Sequence, residues 1–171
     1  SASISAEIAR STDVFITHNY DNHDGQIPLW AAVEVMSFGT LSKYIKNLST
    51  GTDSVYPSLA QFYKYTSAKG NLATPSLEMF SSWIHAVVVL RNICAHNSRI
   101  YNRSLTTKPK LLSVDQQNPA TRSCGLYHFL LAMKYLRPSD DEWNDFITSF
   151  DALLNKYQRD IDLGKLHLPS D

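Results

Sequence analysis

Apolar positions along most of this chain recur three and four residues apart, the spacing of helices with one buried face. Ile4, Ile8, Val14 and Phe15 form a loose stripe that predicts one helix from Ser5 to about His18. The run Asn19–Gly25 (NYDNHDG) is rich in turn formers and predicts a break. Pro28 suits a first helical position, and Leu29, Val33 and Met36 follow it at i, i+4 and i+7. Gly39 is expected to interrupt that pattern, which Leu41, Tyr44, Ile45 and Leu48 resume up to the Ser-Thr-Gly-Thr turn at 49–52. Pro57 is read as opening a further helix through Leu59, Phe62, Tyr63 and Tyr65, ended by Gly70.

The segment Leu77–Ala95 is apolar on nearly every side, with stripes Phe80-Ile84-Val87 and Met79-Trp83-Ala86-Leu90. Such a helix belongs at the centre of a fold. Ser76 is its expected N-cap; Met79 stands at the third helical position, so the reciprocal capping box is absent. Pro109 and Pro119 mark 104–120 as an internal loop. Cys124–Leu136 then reads as a helix stopped before Pro138, and Ser139 caps a last one carrying Trp143, Ile147, Phe150 and Leu154. No repeat or strong hairpin signal appears. The expected fold is all-α, a helical bundle forming a single domain over 1–171.

Composition narrows the class without naming a function. With 171 residues, 43% hydrophobic and 19% charged, the chain can bury one substantial core. It has no run near the ~20 apolar residues of a membrane helix, and no basic segment followed by an apolar run marks a secretory signal. Two cysteines, Cys94 and Cys124, suit a reducing cytoplasm rather than a disulfide framework. The chain starts at Ser1 without methionine, which reads as a processed form or a fragment.

Sixteen basic residues balance sixteen acidic ones, but unevenly. Between 91 and 137, Arg91, Arg99, Arg103, Lys108, Lys110, Arg122, Lys134 and Arg137 face only Asp115. Residues 138–171 carry eight acidic and three basic side chains. A basic middle is the footprint of phosphate docking, or a solvated stretch paired with the acidic end.

At Arg91 the central helix turns polar: Arg91-Asn92-Ile93-Cys94-Ala95-His96-Asn97-Ser98-Arg99-Ile100-Tyr101-Asn102-Arg103. Arg91 continues the stripe of Phe80, Ile84 and Val87, so it should be paired or face a cleft. If the helix runs on, Asn92, His96, Arg99 and Arg103 share one face, since 100° per residue brings them within about 60°. An imidazole that moves protons beside guanidinium groups that clamp oxyanions suits a phosphate ester. The plainer alternative is a structural ion pair at a helix end.

Arg91-Asn92-Ile93-Cys94-Ala95-His96 resembles the motif of HEPN ribonucleases: an arginine, a polar residue, three variable residues and a histidine. The longer string Arg91–Arg103 is similar to the signature of Abi-like (abortive infection) proteins. Also similar are Pro28-Leu29-Trp30, the block Glu34-Val35-Met36-Ser37-Phe38-Gly39-Thr40-Leu41-Ser42 and Ser82-Trp83-Ile84. The blocks occur in order over roughly residues 18–105; beyond that the chain matches only as a helical continuation. Abi-like proteins usually carry a longer N-terminal portion, in keeping with a fragment.

The resemblance implies a HEPN-type helical bundle, usually a homodimer whose two Arg–His motifs share a cleft. It implies metal-independent RNA cleavage, without a cofactor, in phage defence or as the toxin of a toxin–antitoxin pair with a cognate antitoxin. Carried onto this sequence, Arg91 and His96 are the catalytic pair and Asn92 the polar residue that positions them. Arg99, Arg103, Lys108 and Lys110 are the expected RNA contacts. Two other functions remain open: a HEPN-type module that binds RNA or protein without cutting, and a helical oligomerisation domain.

Other constellations are weaker. Cys94 and His96, two apart, diverge on a helix, and Cys124 with His128 gives only two ligands, so no zinc site is expected. Cys94 between Ile93 and Ala95 reads as a packed small residue. His18, His23 and His85 read as structural or surface residues. Trp30, Glu34 and Ser37 share a stripe, on which Glu34 is a candidate buried partner for Arg91. Glycine-rich phosphate loops and a GxSxG elbow are absent.

Overall fold

A computed structural model describes residues 2–50 and 53–169. Among them lie eight α-helices and two hairpins of two-residue strands, so the chain is all-α. It divides into two compact units, one up to Val55 and one from Tyr56 onward.

The first unit holds α1 (Ala2–Arg10), α2 (Val14–Asn22), α3 (Leu29–Val35) and α4 (Phe38–Asn47). The strand β1 (Ser49–Thr50) pairs antiparallel with β2 (Asp53–Ser54). The single helix expected from Ser5 to His18 is broken at Ser11–Asp13. There Ser11 Oγ donates to the Asp13 carboxylate at 2.7 Å and the extended Asp13 starts a new helix. Short polar side chains compete with the helix for backbone partners in this way. Conversely, α2 runs into the expected break at Asn19: the Asn19 and Asn22 amides donate to the carbonyls of Phe15 and His18 at 2.7 and 2.9 Å. Asp24 and Gly25, both at positive φ, follow its end.

Gly39 lies inside α4, and the interruption falls earlier, at Ser37. The Ser37 hydroxyl caps α4 by accepting from Thr40 N at 3.2 Å. Glu7 of α1 accepts from Ser37 N and Oγ, both at 2.9 Å, and from Thr40 Oγ1 at 2.8 Å. It thereby supplies from another helix the carboxylate that a capping box takes from the third helical position. The Thr40 hydrogen bond, ahead of those from Ser37, holds its carboxyl below the usual range.

In the second unit, α5 (Val55–Ala60) stops well short of Gly70. Within the span of the expected helix, β3 (Tyr65–Thr66) forms instead and pairs antiparallel with β4 (Leu72–Ala73) through a turn with Gly70 at φ 79. Tyrosines expected in a helix lie beyond its end: Tyr63, in a bend, packs on Phe80, and Tyr65, on β3, packs on Trp83, with centroids 5.2 and 6.3 Å apart.

Those aromatics lie on α6 (Leu77–Ala95), which has the expected bounds and its Ser76 cap, 3.2 Å from Met79 N. Its Trp83, Ala86 and Leu90 are buried with Leu126, Phe129, Leu130 and Ala132 of α7 (Leu126–Tyr135), against which α6 packs. Phe146, Phe150 and Leu154 of α8 (Asp140–Lys156) flank this core. Ser139 caps α8, accepting from Glu142 N at 3.2 Å, and three acidic residues in its first turn complement the helix dipole. Helix α7 starts at Leu126 rather than Cys124; Gly125 caps it, and a Cβ there would collide with the His167 ring.

The 104–120 segment has no α-helix, yet it is well anchored. Leu105, Leu111 and Leu112 are buried, and 3-10 turns form at Asp115–Gln117 and Pro119–Thr121. Trp83 Nε1 donates to the Lys110 carbonyl at 2.8 Å, while its ring stacks on Tyr135 at 5.0 Å. Tyr135 donates its hydroxyl to Asp115 at 2.8 Å. Burial, followed by the Asp115 contact, pushes that phenol's pKa up.

His128 on α7 is fully buried, and neither ring nitrogen has a hydrogen-bond partner among the described residues. Burial, reinforced by Lys108 and His167, pushes its pKa below the ordinary imidazole value. The unfolded chain therefore binds the proton more readily, and stability present above that value is lost as pH falls below it. His128→Leu is expected to match or exceed the parent's stability near neutral pH, by up to about 1–3 kcal/mol for the orphaned donor and acceptor. Its melting temperature should fall less between about pH 7 and pH 5. An equally steep acid loss in the variant would assign that loss to other groups.

Candidate functional site

The last turn of α6 sets the site. The Phe80-Ile84-Val87 stripe is less buried than the Trp83 stripe: Phe80 is buried, Ile84 and Val87 are half-buried, and Arg91 is exposed. Arg91 Nη1 donates to Asn92 Oδ1 at 3.0 Å. Asn92 is half-buried, and His96, four residues on, is exposed as the C-cap.

The helix ends there. Asn97 takes φ 49 and donates to the Cys94 carbonyl at 3.0 Å, while Ser98 N donates to the Ile93 carbonyl at 2.9 Å. Those two bonds make a Schellman motif with asparagine in the left-handed position. Asn97 was therefore a stop signal, one of the few non-glycine residues that tolerates that conformation. Asn102 is also left-handed, at φ 52; its N–H donates to the Lys165 carbonyl at 2.8 Å, and Tyr101 Oη accepts from Asp162 N at 3.1 Å.

Arg99 and Arg103 consequently do not extend the face of Asn92 and His96, contrary to the continuous-helix expectation. They sit on a separate turn, where Arg103 Nη1 donates to the Arg99 carbonyl at 3.3 Å. Two asparagines that satisfy left-handed turns outweigh helical periodicity. What remains together is Arg91, Asn92 and His96. The Asn92 side chain is bonded to the guanidinium, and its backbone carbonyl accepts from the His96 N–H at 3.0 Å, so all three residues sit at the last turn of α6.

Lys108 and Lys110 lie elsewhere. Lys110 N donates to Ser82 Oγ at 2.9 Å, near the start of α6. Fourteen residues at 1.5 Å each put that point about 20 Å along the helix from His96. Both lysines line a cavity of about 480 Å³ with Pro109, Leu111, Gln116, Thr121 and Arg122. Arg122, counted in the basic run, carried no separate signal in the sequence; the 3-10 turn before it brings it to this wall.

Among the described residues, one ion pair joins the basic middle to the acidic C-terminal stretch and another joins it to the start of α6. Arg137 pairs with Asp140 and Lys110 with Glu78, each at 2.6 Å. Arg99, Arg103, Lys108 and Arg122 have no ion-pair partner among the described residues. Glu34, in the first unit, and Arg91, in the second, are each exposed. Cys94 is exposed rather than packed. Cys124 Sγ donates to the Thr107 carbonyl at 3.2 Å, and burial pushes its thiol pKa up. His18, His23 and His85 are on the surface. No three His, Cys, Asp or Glu side chains among the described residues come together as metal ligands, and no helix among them is long and apolar enough to cross a membrane.

The C-cap geometry is testable by itself. Asn97→Gly should hold or raise stability, because glycine takes positive φ freely, whereas Asn97→Val should lose about 1–2 kcal/mol. Thermal melts of both variants check this; equal melting temperatures would remove the left-handed cap as the helix stop.

A family model described as Abi-like protein matches residues 1–102. The matched region contains α1 through α6, the Arg91–His96 motif and both left-handed asparagines. No curated protein and no solved structure matches the chain.

Proposed function

The chain belongs to the Abi-like family, and from that premise we propose that it is an endoribonuclease of the HEPN type acting in abortive infection, the cellular defence against phage. The observation that carries the proposal is the exposed Arg91-Asn92…His96 constellation at the end of α6, with Arg91 held to Asn92 at 3.0 Å. The exposure of Arg91 at the end of α6 leaves its guanidinium accessible to a phosphate.

The chemistry needs no group from outside the chain and the RNA. The ribose 2′-hydroxyl attacks the adjacent phosphorus and the bond to the 5′-oxygen breaks, leaving a 2′,3′-cyclic phosphate and a 5′-hydroxyl. A base takes the 2′-hydroxyl proton and an acid gives one to the departing oxygen; histidine serves either transfer near neutral pH. Arg91 stabilises the charge that grows on the phosphoryl oxygens, with Asn92 fixing its guanidinium. One chain carries one motif, so a two-fold dimer brings two histidines to one cleft, one for each proton transfer. A toxin of this kind, restrained by a cognate antitoxin, uses the same chemistry.

Purified protein incubated with mixed RNAs in EDTA should cleave them, and His96→Ala should abolish cleavage with little change in RNA affinity. Intact RNA with the parent protein would leave the fold as a binding or oligomerisation module. Arg91→Ala should lose ~100-fold or more in rate while melting within a few degrees of the parent, because an exposed side chain leaves no cavity. A collapse in melting temperature would make Arg91 structural. Light scattering should give a dimer; a monomer that retains full activity would remove the shared cleft.

A further inference from the structure

The pocket walled by Lys108, Lys110 and Arg122 is not used by the chemistry above. Around it, Pro109 and Leu111 are buried while Lys108 and Lys110 are exposed. That alternation sends both ammonium groups to one side of the strand-like segment. Thr121 and Arg122, at the end of the Pro119–Thr121 turn, line the same cavity. At about 480 Å³ the cavity falls within the size of small-ligand sites.

Its neutral polar groups are already satisfied. Thr121 Oγ1 donates to the Asn118 carbonyl at 2.7 Å, and Gln116 Nε2 donates to the Leu111 carbonyl at 3.0 Å. Asp115, the one acidic residue between 91 and 137, is engaged by Tyr135. The donors left over are cationic: Lys108 and Arg122 have no ion-pair partner among the described residues. Lys110 is held by Glu78, but the two side chains are 49% and 80% exposed, so an anion can compete for the ammonium. The walls are held in place by Trp83 and Ser82, which bond Lys110 from the buried helix at 2.8 and 2.9 Å. Such preorganisation favours binding.

We propose that this pocket is a phosphate-binding site, separate from the Arg91–His96 motif, which holds a backbone phosphate of the RNA several nucleotides from the bond being cut. An ammonium and a guanidinium lining one cavity suit a tetrahedral oxyanion. The separation of about 20 Å along α6 corresponds to roughly six stacked nucleotides at ~3.4 Å each. The assignment to RNA rests on the ribonuclease reading; the affinity for phosphate does not.

The test uses His96→Ala protein, so that RNA stays intact, with and without Lys108→Ala and Arg122→Ala together. Binding of a 12-nucleotide and a 3-nucleotide RNA is measured across salt concentrations, and AMP and inorganic phosphate are titrated separately. The pocket double variant should bind the longer RNA at least tenfold more weakly, with a salt slope smaller by about one unit. The shorter RNA should be unaffected. Lys108→Arg with Arg122→Lys should restore the longer RNA's binding, which separates lost charge from lost folding.

If AMP or phosphate needs the pocket while RNA of either length ignores it, the site takes a free nucleotide and the RNA assignment is overturned. If no phosphate compound senses the substitutions, or a polyglutamate peptide competes as well as RNA, the phosphate site itself is overturned. Pocket-dependent binding in a protein that cuts no RNA would leave the phosphate site standing and remove only the ribonuclease reading.

Discussion

The second unit depends on the burial of Trp83. Its side chain is fully enclosed, and an indole N–H so enclosed must be given an acceptor or cost the fold a hydrogen bond. The acceptor is the Lys110 carbonyl, 2.8 Å away and twenty-seven residues on in the chain. That bond, with the one from Lys110 N to Ser82 Oγ, pins a segment without α-helix to the first half of α6, and Tyr135 stacked on the Trp83 ring ties in α7. The helix pair and the segment then share one core, in which Leu105 and Leu112 join Ala86, Leu90, Phe129 and Leu130.

From this arrangement α6 carries the two proposed sites toward its opposite ends. Near its start, Ser82 and Trp83 hold the strand-like stretch whose lysines face a cavity with Arg122. At its end, the helix emerges from the core, its less buried stripe runs out into solvent, and Arg91 and His96 are presented with Asn92 between them. The two ends are about 20 Å apart along a rigid rod. One continuous basic stretch of sequence therefore becomes two spatially separate clusters with different work: one suited to moving protons at a phosphate ester, the other to gripping an anion.

The end of α6 is also where local chemistry overrides periodicity. A helix continuing to Arg103 would have gathered four polar side chains on one face. The Schellman bonds at Asn97 satisfy carbonyls that would otherwise be left open at the helix end. A second left-handed turn at Asn102 is anchored to the Lys165 carbonyl. Arg99 and Arg103 are carried away by those turns, so the catalytic proposal is confined to three residues.

The sequence alone determined the elements whose signals are local. The nineteen-residue α6, its Ser76 cap, the Ser139 cap of α8 and the all-α class follow from apolar spacing and capping chemistry that act within a few residues. The Arg91-Asn92…His96 motif was equally legible, because all three residues lie within two turns. Only the tertiary structure decided the rest. Tyr63 and Tyr65 fall within the expected helix but lie in a bend and a strand, where they pack on Phe80 and Trp83 of α6. The cap of α4 borrows a carboxylate from Glu7, thirty residues away. The exposure of Arg91 depends on which of two apolar stripes meets α7, and the pocket of Lys108, Lys110 and Arg122 on a carbonyl finding a buried indole. These are choices between long-range partners, and spacing along the chain carries no information about them until the core has closed.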